Sequence, residues 1–294
     1  YDFSVVPLFI LMGGFCYYAG ISTDLFSAAY KWIGNFRGGL ALATVGACAV
    51  FAAVSGSSIA ATATFSTVAV PEMKKYNYAP SLACGAVASG GTLAVMIPPS
   101  IIFVIYGIVT GQSIGKLLIA GLIPGILLSL FFFAAIYLVC LRNPDAGPRG
   151  PTTTMKEKIY SLKNTWIVLL LFLLVIGGLY FGVFSPSEAA GVGAFGAFAF
   201  ALARRKLGWA NFKDSLRETA RTGGMIFIII LGAMLLNYFL AVTRLPAVLS
   251  STIIGMQLNP YFIIVIIVII YIILGALMDE MGMILLTVPI FFPI

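Results

Sequence analysis

The residues of this chain best suited to chemistry are polar ones set inside apolar stretches. Gly38 to Val70 is apolar apart from Ser55-Gly56-Ser57-Ser58, and Leu82 to Val109 is interrupted by Ser89-Gly90-Gly91-Thr92 and by Pro98-Pro99-Ser100. Ser57, Ser58 and Thr92 supply hydroxyl oxygens, and Gly56, Gly90 and Gly91 let backbone approach closely. Pro98 and Pro99 have no N–H to donate, so carbonyls one turn earlier lose their helical partners. Freed carbonyls and hydroxyls can coordinate a hard, weakly charged cation, while helix N-termini favour an anion. Small residues also serve plain helix packing. Two dense clusters in consecutive segments, one with a proline pair, favour binding over packing.

One carboxylate belongs with these breaks. Asp279 lies in Gly275-Ala276-Leu277-Met278-Asp279-Glu280-Met281-Gly282, within a long apolar run, and an intramembrane carboxylate costs several kcal/mol unless paired, hydrated or bound to a cation (about 3 kcal/mol at a helix centre on insertion scales). It is expected to be a sodium ligand or to organise a second break; capping of helical N–H groups is the alternative. Glu188, three residues after Ser185 with Pro186 between them, reads as a capping box.

Enzymatic readings find little support. With no histidine, Ser-His and Cys-His nucleophiles, histidine-ligated metals and histidine proton shuttles are absent from the chain. No phosphate-binding Gly-Lys-Ser/Thr loop occurs either. Cys16, Cys48, Cys84 and Cys140 all lie in apolar segments without metal-ligand spacing and are expected to be small buried hydrophobes.

The elements that carry these residues are membrane elements. With 61% hydrophobic and 9% charged residues and a mean hydropathy of +1.08, the composition is that of an all-α polytopic membrane protein. The net charge of +7 resides in short loops rather than among stacking aromatics, which argues for the positive-inside rule and against nucleic acid. The basic clusters are Lys31 and Arg37; Lys74 and Lys75; Arg142 to Lys163; and Arg204 to Arg217. If Gly38 to Val70 crossed the membrane once, Lys74 and Lys75 would face the opposite side from Lys31. A re-entrant hairpin with Ser55 to Ser58 at its tip, each arm roughly 14 to 17 residues long, keeps them together. A broken helix at 80–112, a return at 115–141 and a further pair at 165–184 and 187–203 then bring every cluster to one face.

The second half repeats the first in the opposite sense. Val5 to Ala19, an amphipathic Thr23 to Arg37 and the first broken run correspond to Thr219 to Ala241, an amphipathic Leu245 to Leu258 and the run from Tyr261 broken around Asp279. The arms after each break end alike, in Val70-Pro71-Glu72-Met73 and Phe291-Phe292-Pro293-Ile294. Inverted-topology repeats of this kind place substrate and ion sites near the midplane. The class expected is a secondary transporter; an ion channel with the hairpins as its filter is the alternative from another class.

At these residues the chain resembles the large membrane subunit (DctM type) of tripartite ATP-independent periplasmic (TRAP) transporters. The resemblance runs through Pro7 to Gly13, Gly38 to Ala41, Ser55 to Ser58, Pro71 to Met73, Gly90 to Leu93, Ile97 to Ser100, Gly121 to Gly125, Ser185 to Ala190 and Asp279. More distantly it is similar to sodium–carboxylate symporters of the divalent-anion family. The resemblance implies an elevator of the ion-transporter-superfamily kind, with two re-entrant helical hairpins and a discontinuous transmembrane helix. Residues 1–37 would form a scaffold helix and arm, 38–73 the first hairpin, 80–112 the broken helix, 113–259 scaffold helices, loops and second arm, and 260–294 a second, truncated hairpin.

The implied function is sodium-coupled import of an organic acid, such as a C4-dicarboxylate or sugar acid, across a bacterial or archaeal cytoplasmic membrane. A stand-alone sodium–carboxylate symporter is the other reading. A periplasmic binding protein (DctP type) would deliver the substrate, and a small four-helix membrane subunit (DctQ type) would brace the scaffold amid membrane lipid. Na+ is the one cofactor implied, held by Gly56, Ser57, Ser58, Gly91, Thr92 and Ile97 at one site and by Asp279 at another. Substrate is expected against Ser58 and Pro98-Pro99-Ser100. Family members often carry Asn soon after the Ser-Ser pair; Ala60-Ala61-Thr62 here leaves coordination to backbone carbonyls. The remaining broken helix is expected beyond Ile294 and the first helices before Tyr1, making this the central part of a larger subunit.

Overall fold

The computed structural model describes residues 2–150, 153–163, 165–244, 246, 248, 251, 255 and 259–292. The expected amphipathic segment at Leu245 to Leu258 and the closing Pro293-Ile294 fall largely outside the described residues. The chain is all-helical among them: α1 (Val5–Tyr18), α2 (Ile21–Ile33), α3 (Gly39–Ser55), α4 (Ser58–Lys75), α5 (Pro80–Met96), α6 (Ile101–Thr110), α7 (Ile114–Ala120), α8 (Leu122–Arg142), α9 (Met155–Leu162), α10 (Trp166–Tyr180), α11 (Pro186–Ala203), α12 (Trp209–Thr243), α13 (Pro260–Leu277) and α14 (Glu280–Phe291). Five described helices are long and apolar enough to cross a membrane, or up to seven if two bent pairs each count as one span. It is a multi-pass membrane protein.

Two compact units divide the chain, Tyr1–Ile101 with Gly115–Ala220, and Ile102–Ile114 with Arg221–Ile294. In the first, α3 is the central helix and touches α1, α2, α4, α5, α8 and α10. Its residues are apolar or small on every side and nearly all are buried, as a helix without a polar face must be. After α3 the chain turns back on itself. The Phe51 and Phe65 rings meet edge-on with centroids 5.7 Å apart, where a continuous helix would hold them about 21 Å apart. α3 and α4 are therefore two helices folded back on each other and broken at Gly56-Ser57.

An elbow joins α1 to α2, bent by 66° at Gly20, whose φ is +77°. Arg204, at the end of α11, locks this elbow. Its guanidinium donates to the Asp24 carboxylate and to the Ala19 carbonyl (3.2 Å), and lies 4.9 Å from the Phe200 ring centre. The start of α11 is fixed as the sequence predicts, by a reciprocal capping box between Ser185 and Glu188 with Pro186 in the first turn.

A strap at 146–150, with Thr153 beyond it, crosses the base of the hairpin. Gly38 N–H donates to Gly147 O (2.9 Å), Ala79 N–H to Ala146 O (3.0 Å) and Gly150 N–H to Gly34 O (2.9 Å). The Tyr78 phenol accepts from Leu40 N–H (3.1 Å) and donates to Pro148 O (2.8 Å), and Thr153 Oγ1 donates to Lys31 O (2.5 Å). One short segment thus ties together the end of α2, the start of α3 and the α4–α5 turn.

In the second unit α13 and α14 also fold back on each other. Tyr271 and Thr287, 16 residues apart, share a 2.7 Å hydrogen bond between hydroxyls, against about 24 Å in an unbroken helix. The reversal lies at Met278-Asp279, inside the segment the sequence marks as broken.

Candidate functional site

The first hairpin's tip and the break between α5 and α6 meet. Gly56 ends α3 in the left-handed region (φ +59°) and its N–H donates to Ala52 O at 3.1 Å, a helix-terminating geometry that favours glycine. A Cβ at Gly56 would also stand 2.7 Å from Pro99 O, so backbone of one break touches backbone of the other. The Gly56 carbonyl accepts a long bond from Ile101 N–H, 3.5 Å. On the far side of the break Ile97 turns to extended backbone. Pro99 has no N–H for Val95, and the buried Ser100 hydroxyl takes its place, donating to Val95 O at 2.6 Å.

The glycine pair explains how α5 reaches the tip. A Cβ at Gly90 would lie 2.9 Å from Cys48 Sγ on α3, and one at Gly91 1.8 Å from Thr62 Oγ1 and 3.2 Å from Ser58 O on α4. Consecutive glycines therefore face the two arms of the hairpin in turn, and α5 approaches them with no side chain of its own at either position.

Of the residues expected at the site, Gly56 and Pro99 meet directly and Gly91 packs against Ser58, while Ser57, Ile97, Pro98 and Ser100 are their chain neighbours in the two breaks. The Ser57 hydroxyl accepts from Ala60 N–H at 3.3 Å, capping α4. Thr92 is placed differently: it is exposed, and its hydroxyl donates to Ser89 O at 2.7 Å. One position round the helix from Gly91 carries its side chain away from the hairpin. In the second unit Asp279 is exposed and its carboxylate accepts from Met281 N–H at 3.1 Å, the N-cap role the sequence offers as the alternative.

Ser55 is the residue that sequence reasoning left out of the site. It is 2% exposed, and its hydroxyl finds no hydrogen-bond partner among the described residues. An orphaned buried hydroxyl costs about 1–3 kcal/mol, and this one stands beside the helix break. The signal available in the sequence was its position immediately before the helix-ending glycine.

No formal charge occurs between Gly38 and Pro71 or between Ala79 and Gly115. The coordination offered here is neutral oxygen: the Ser55 hydroxyl and the terminal carbonyls of α3 and α5. Their C-terminal ends carry partial negative charge, roughly half an elementary charge each, while the helix starts at Ser58 and Ile101 present N–H groups. Such a junction suits a monovalent cation beside an organic anion. Among the described residues no group of three or more His, Cys, Asp or Glu gathers to hold a metal. Cys16, Cys48 and Cys140 are buried as expected; Cys84 is exposed, because it lies with Ser81, Ala88 and Thr92 on the face of α5 turned away from the hairpin.

The comparisons with known proteins bear on the same segments. A family model described as "Tripartite ATP-independent periplasmic transporter, DctM component" matches residues 1–294. The chain is 36% identical to the C4-dicarboxylate TRAP transporter large permease protein DctM of Pseudomonas aeruginosa, over all of this chain and 69% of that protein. It is 31% identical to the protein of the same name from Vibrio cholerae, over all of this chain and 69% of that one. It is also 31% identical to the isethionate TRAP transporter permease protein DctMQ of Oleidesulfovibrio alaskensis, over 98% of this chain and 46% of that protein. The chain therefore belongs to the DctM component family of the tripartite ATP-independent periplasmic transporters.

Proposed function

We propose that this protein is the membrane permease of a sodium-driven secondary importer of organic acids, working with a periplasmic binding protein and a small membrane subunit in the cytoplasmic membrane. The observation that carries the reading is the contact between Gly56 at the hairpin tip and Pro99 at the helix break, with the unpartnered Ser55 hydroxyl beside it. A sodium ion there would be held by Ser55 Oγ and by carbonyls around Gly56, Ser57 and Ile97. It would supply positive charge next to an anionic substrate and the gradient that drives uptake. Ser58 and Pro98-Pro99-Ser100 would line the substrate's side. The second hairpin, turning at Asp279, would complete the transport domain of an elevator, and the first hairpin would be re-entrant. The named relatives handle C4-dicarboxylates and isethionate, both organic acids, which supports that substrate class.

The test is uptake of a labelled C4-dicarboxylate into proteoliposomes holding the full-length permease and its small subunit, with binding protein outside. Uptake is expected to collapse when sodium is replaced by potassium and to fall at least tenfold in Ser58→Ala (about 1.4 kcal/mol). Full uptake in both cases refutes the proposal. Unitary currents in a planar bilayer would indicate a channel instead, and undiminished uptake without the binding protein a stand-alone symporter.

A further inference from the structure

We propose that a cavity at the base of the first hairpin binds the headgroup of an anionic phospholipid. The cavity has a volume of about 350 Å³ and is lined by Asn35, Phe36, Arg37, Tyr137, Leu141 and Arg149. It therefore joins two guanidinium-bearing residues to an amide, a phenol and two apolar side chains, and its lining has no carboxylate.

The two arginines are brought there by backbone, not by attraction. Gly38 N–H to Gly147 O and Gly150 N–H to Gly34 O lay the strap alongside 34–38. Arg37 and Arg149 each adjoin one of these bonded glycines, so the pairing that fixes the strap also fixes both cations at one cavity. Neither makes an ion pair or side-chain hydrogen bond with another described residue. Like charges converging on one lining repel, and an anion between them removes that cost. Guanidinium forks match phosphate oxygens, and Asn35 and Tyr137 add neutral donors.

A lipid rather than a free anion is indicated by what adjoins the cavity. Tyr137 and Leu141 are exposed, and they end a stripe of exposed apolar residues running along α8 through Leu138, Leu130 and Leu127 to Ile123. The stripe recurs at helical spacing, so it is one continuous strip on which acyl chains can lie while the phosphate sits between the arginines. Headgroup binding would bridge the end of α2 to the strap and so brace the turn from which the hairpin departs.

Native mass spectrometry of the full-length permease with its co-purifying membrane subunit tests this, with phosphatidylglycerol and phosphatidylcholine in equimolar competition. Wild type is expected to retain phosphatidylglycerol preferentially, and R37Q/R149Q to lose that preference by roughly ten- to thirtyfold, the effect of two cationic contacts. Arg142→Gln, a charge loss outside the cavity, should keep it. Equal melting temperatures of wild type and double variant in phosphatidylcholine micelles show that the fold is intact; if the double variant unfolds, R37K/R149K, which keeps the charges and loses the forks, replaces it and should show an intermediate preference. Unchanged retention in the glutamine or lysine pair overturns the proposal. So does inorganic phosphate stabilising delipidated protein as strongly as phosphatidylglycerol does, because the ligand is then a free anion.

Discussion

At Gly91 a single methyl group decides whether the hairpin can close around α5. Its Cβ would fall 1.8 Å from Thr62 Oγ1 and 3.2 Å from Ser58 O, so the Thr62 side chain must turn aside and α4 must shift slightly. Gly91→Ala is expected to destabilise the protein by about 1–3 kcal/mol and to abolish uptake, read as a lowered melting temperature in detergent. Gly85, six residues earlier on the same helix, has nothing within 4 Å of its Cβ position, so Gly85→Ala should be neutral or stabilising by up to about 1 kcal/mol. A similar loss from both variants would show that α5 tolerates no side chain at all. Ser55 gives the complementary test. Ser55→Ala removes an orphaned buried hydroxyl, so its melting temperature in potassium should equal or exceed that of wild type, while the increment gained on adding sodium should shrink. A full sodium increment in the variant would remove Ser55 from the site. Ser-Gly-Ser-Ser was legible as a break because polar residues in an apolar run have no other account. That Ser55 rather than Ser57 keeps an unsatisfied hydroxyl was not legible, because the choice depends on which serine caps α4.

Elements were legible where their ends carry chemical signals. The Ser185–Glu188 box and the proline break after Met96 both announce themselves in residue type. The start of α12 at Trp209 rather than near Thr219 was hidden because its first turns carry Asn211, Lys213, Asp214 and Arg217, and a search for apolar residues begins where those end. The strap was hidden for another reason: most of its bonds join backbone groups distant in sequence, and backbone bonding leaves no trace in residue type. Tyr78 is the exception, with a side chain that serves both Leu40 and Pro148. Tyr78→Phe leaves the buried Leu40 N–H unsatisfied and should cost about 1–3 kcal/mol, seen as a lower melting temperature and faster proteolysis within the strap. Burial pushes the Tyr78 phenol from its usual 10.0 up to about 12. A raised folded-state pKa means that the phenol's contribution is complete below pH 10 and is lost as pH rises through about 12, so wild type and Tyr78→Phe should converge in stability only over that alkaline window. Convergence near neutral pH would contradict this assignment.

Over the whole molecule, two helix pairs turn back at non-helical residues, one at Gly56-Ser57 and one at Met278-Asp279. Each pair is described within its own unit. The four thiols report on how completely the first unit is sealed. Cys84 is exposed and Cys16, Cys48 and Cys140 are buried, so N-ethylmaleimide added to detergent-solubilised protein should modify Cys84 first, with the other three reacting only on unfolding. Peptide mass spectrometry over a time course reads this directly, and early modification of Cys48 would mean that α3 and α5 separate readily. The hydropathy of the chain predicted a membrane protein but not such sealing, which rests on small residues at the few positions where backbones touch.

Side chains act as springs between helices, bending and changing rotamer to absorb displacement, and at Gly90-Gly91 α5 supplies none. The α5 backbone meets the short Cys48 and Thr62 side chains on the two arms, so little soft material lies between the helices. Hydrogen exchange over α3, α4 and α5 is therefore expected to proceed as one cooperative block rather than helix by helix.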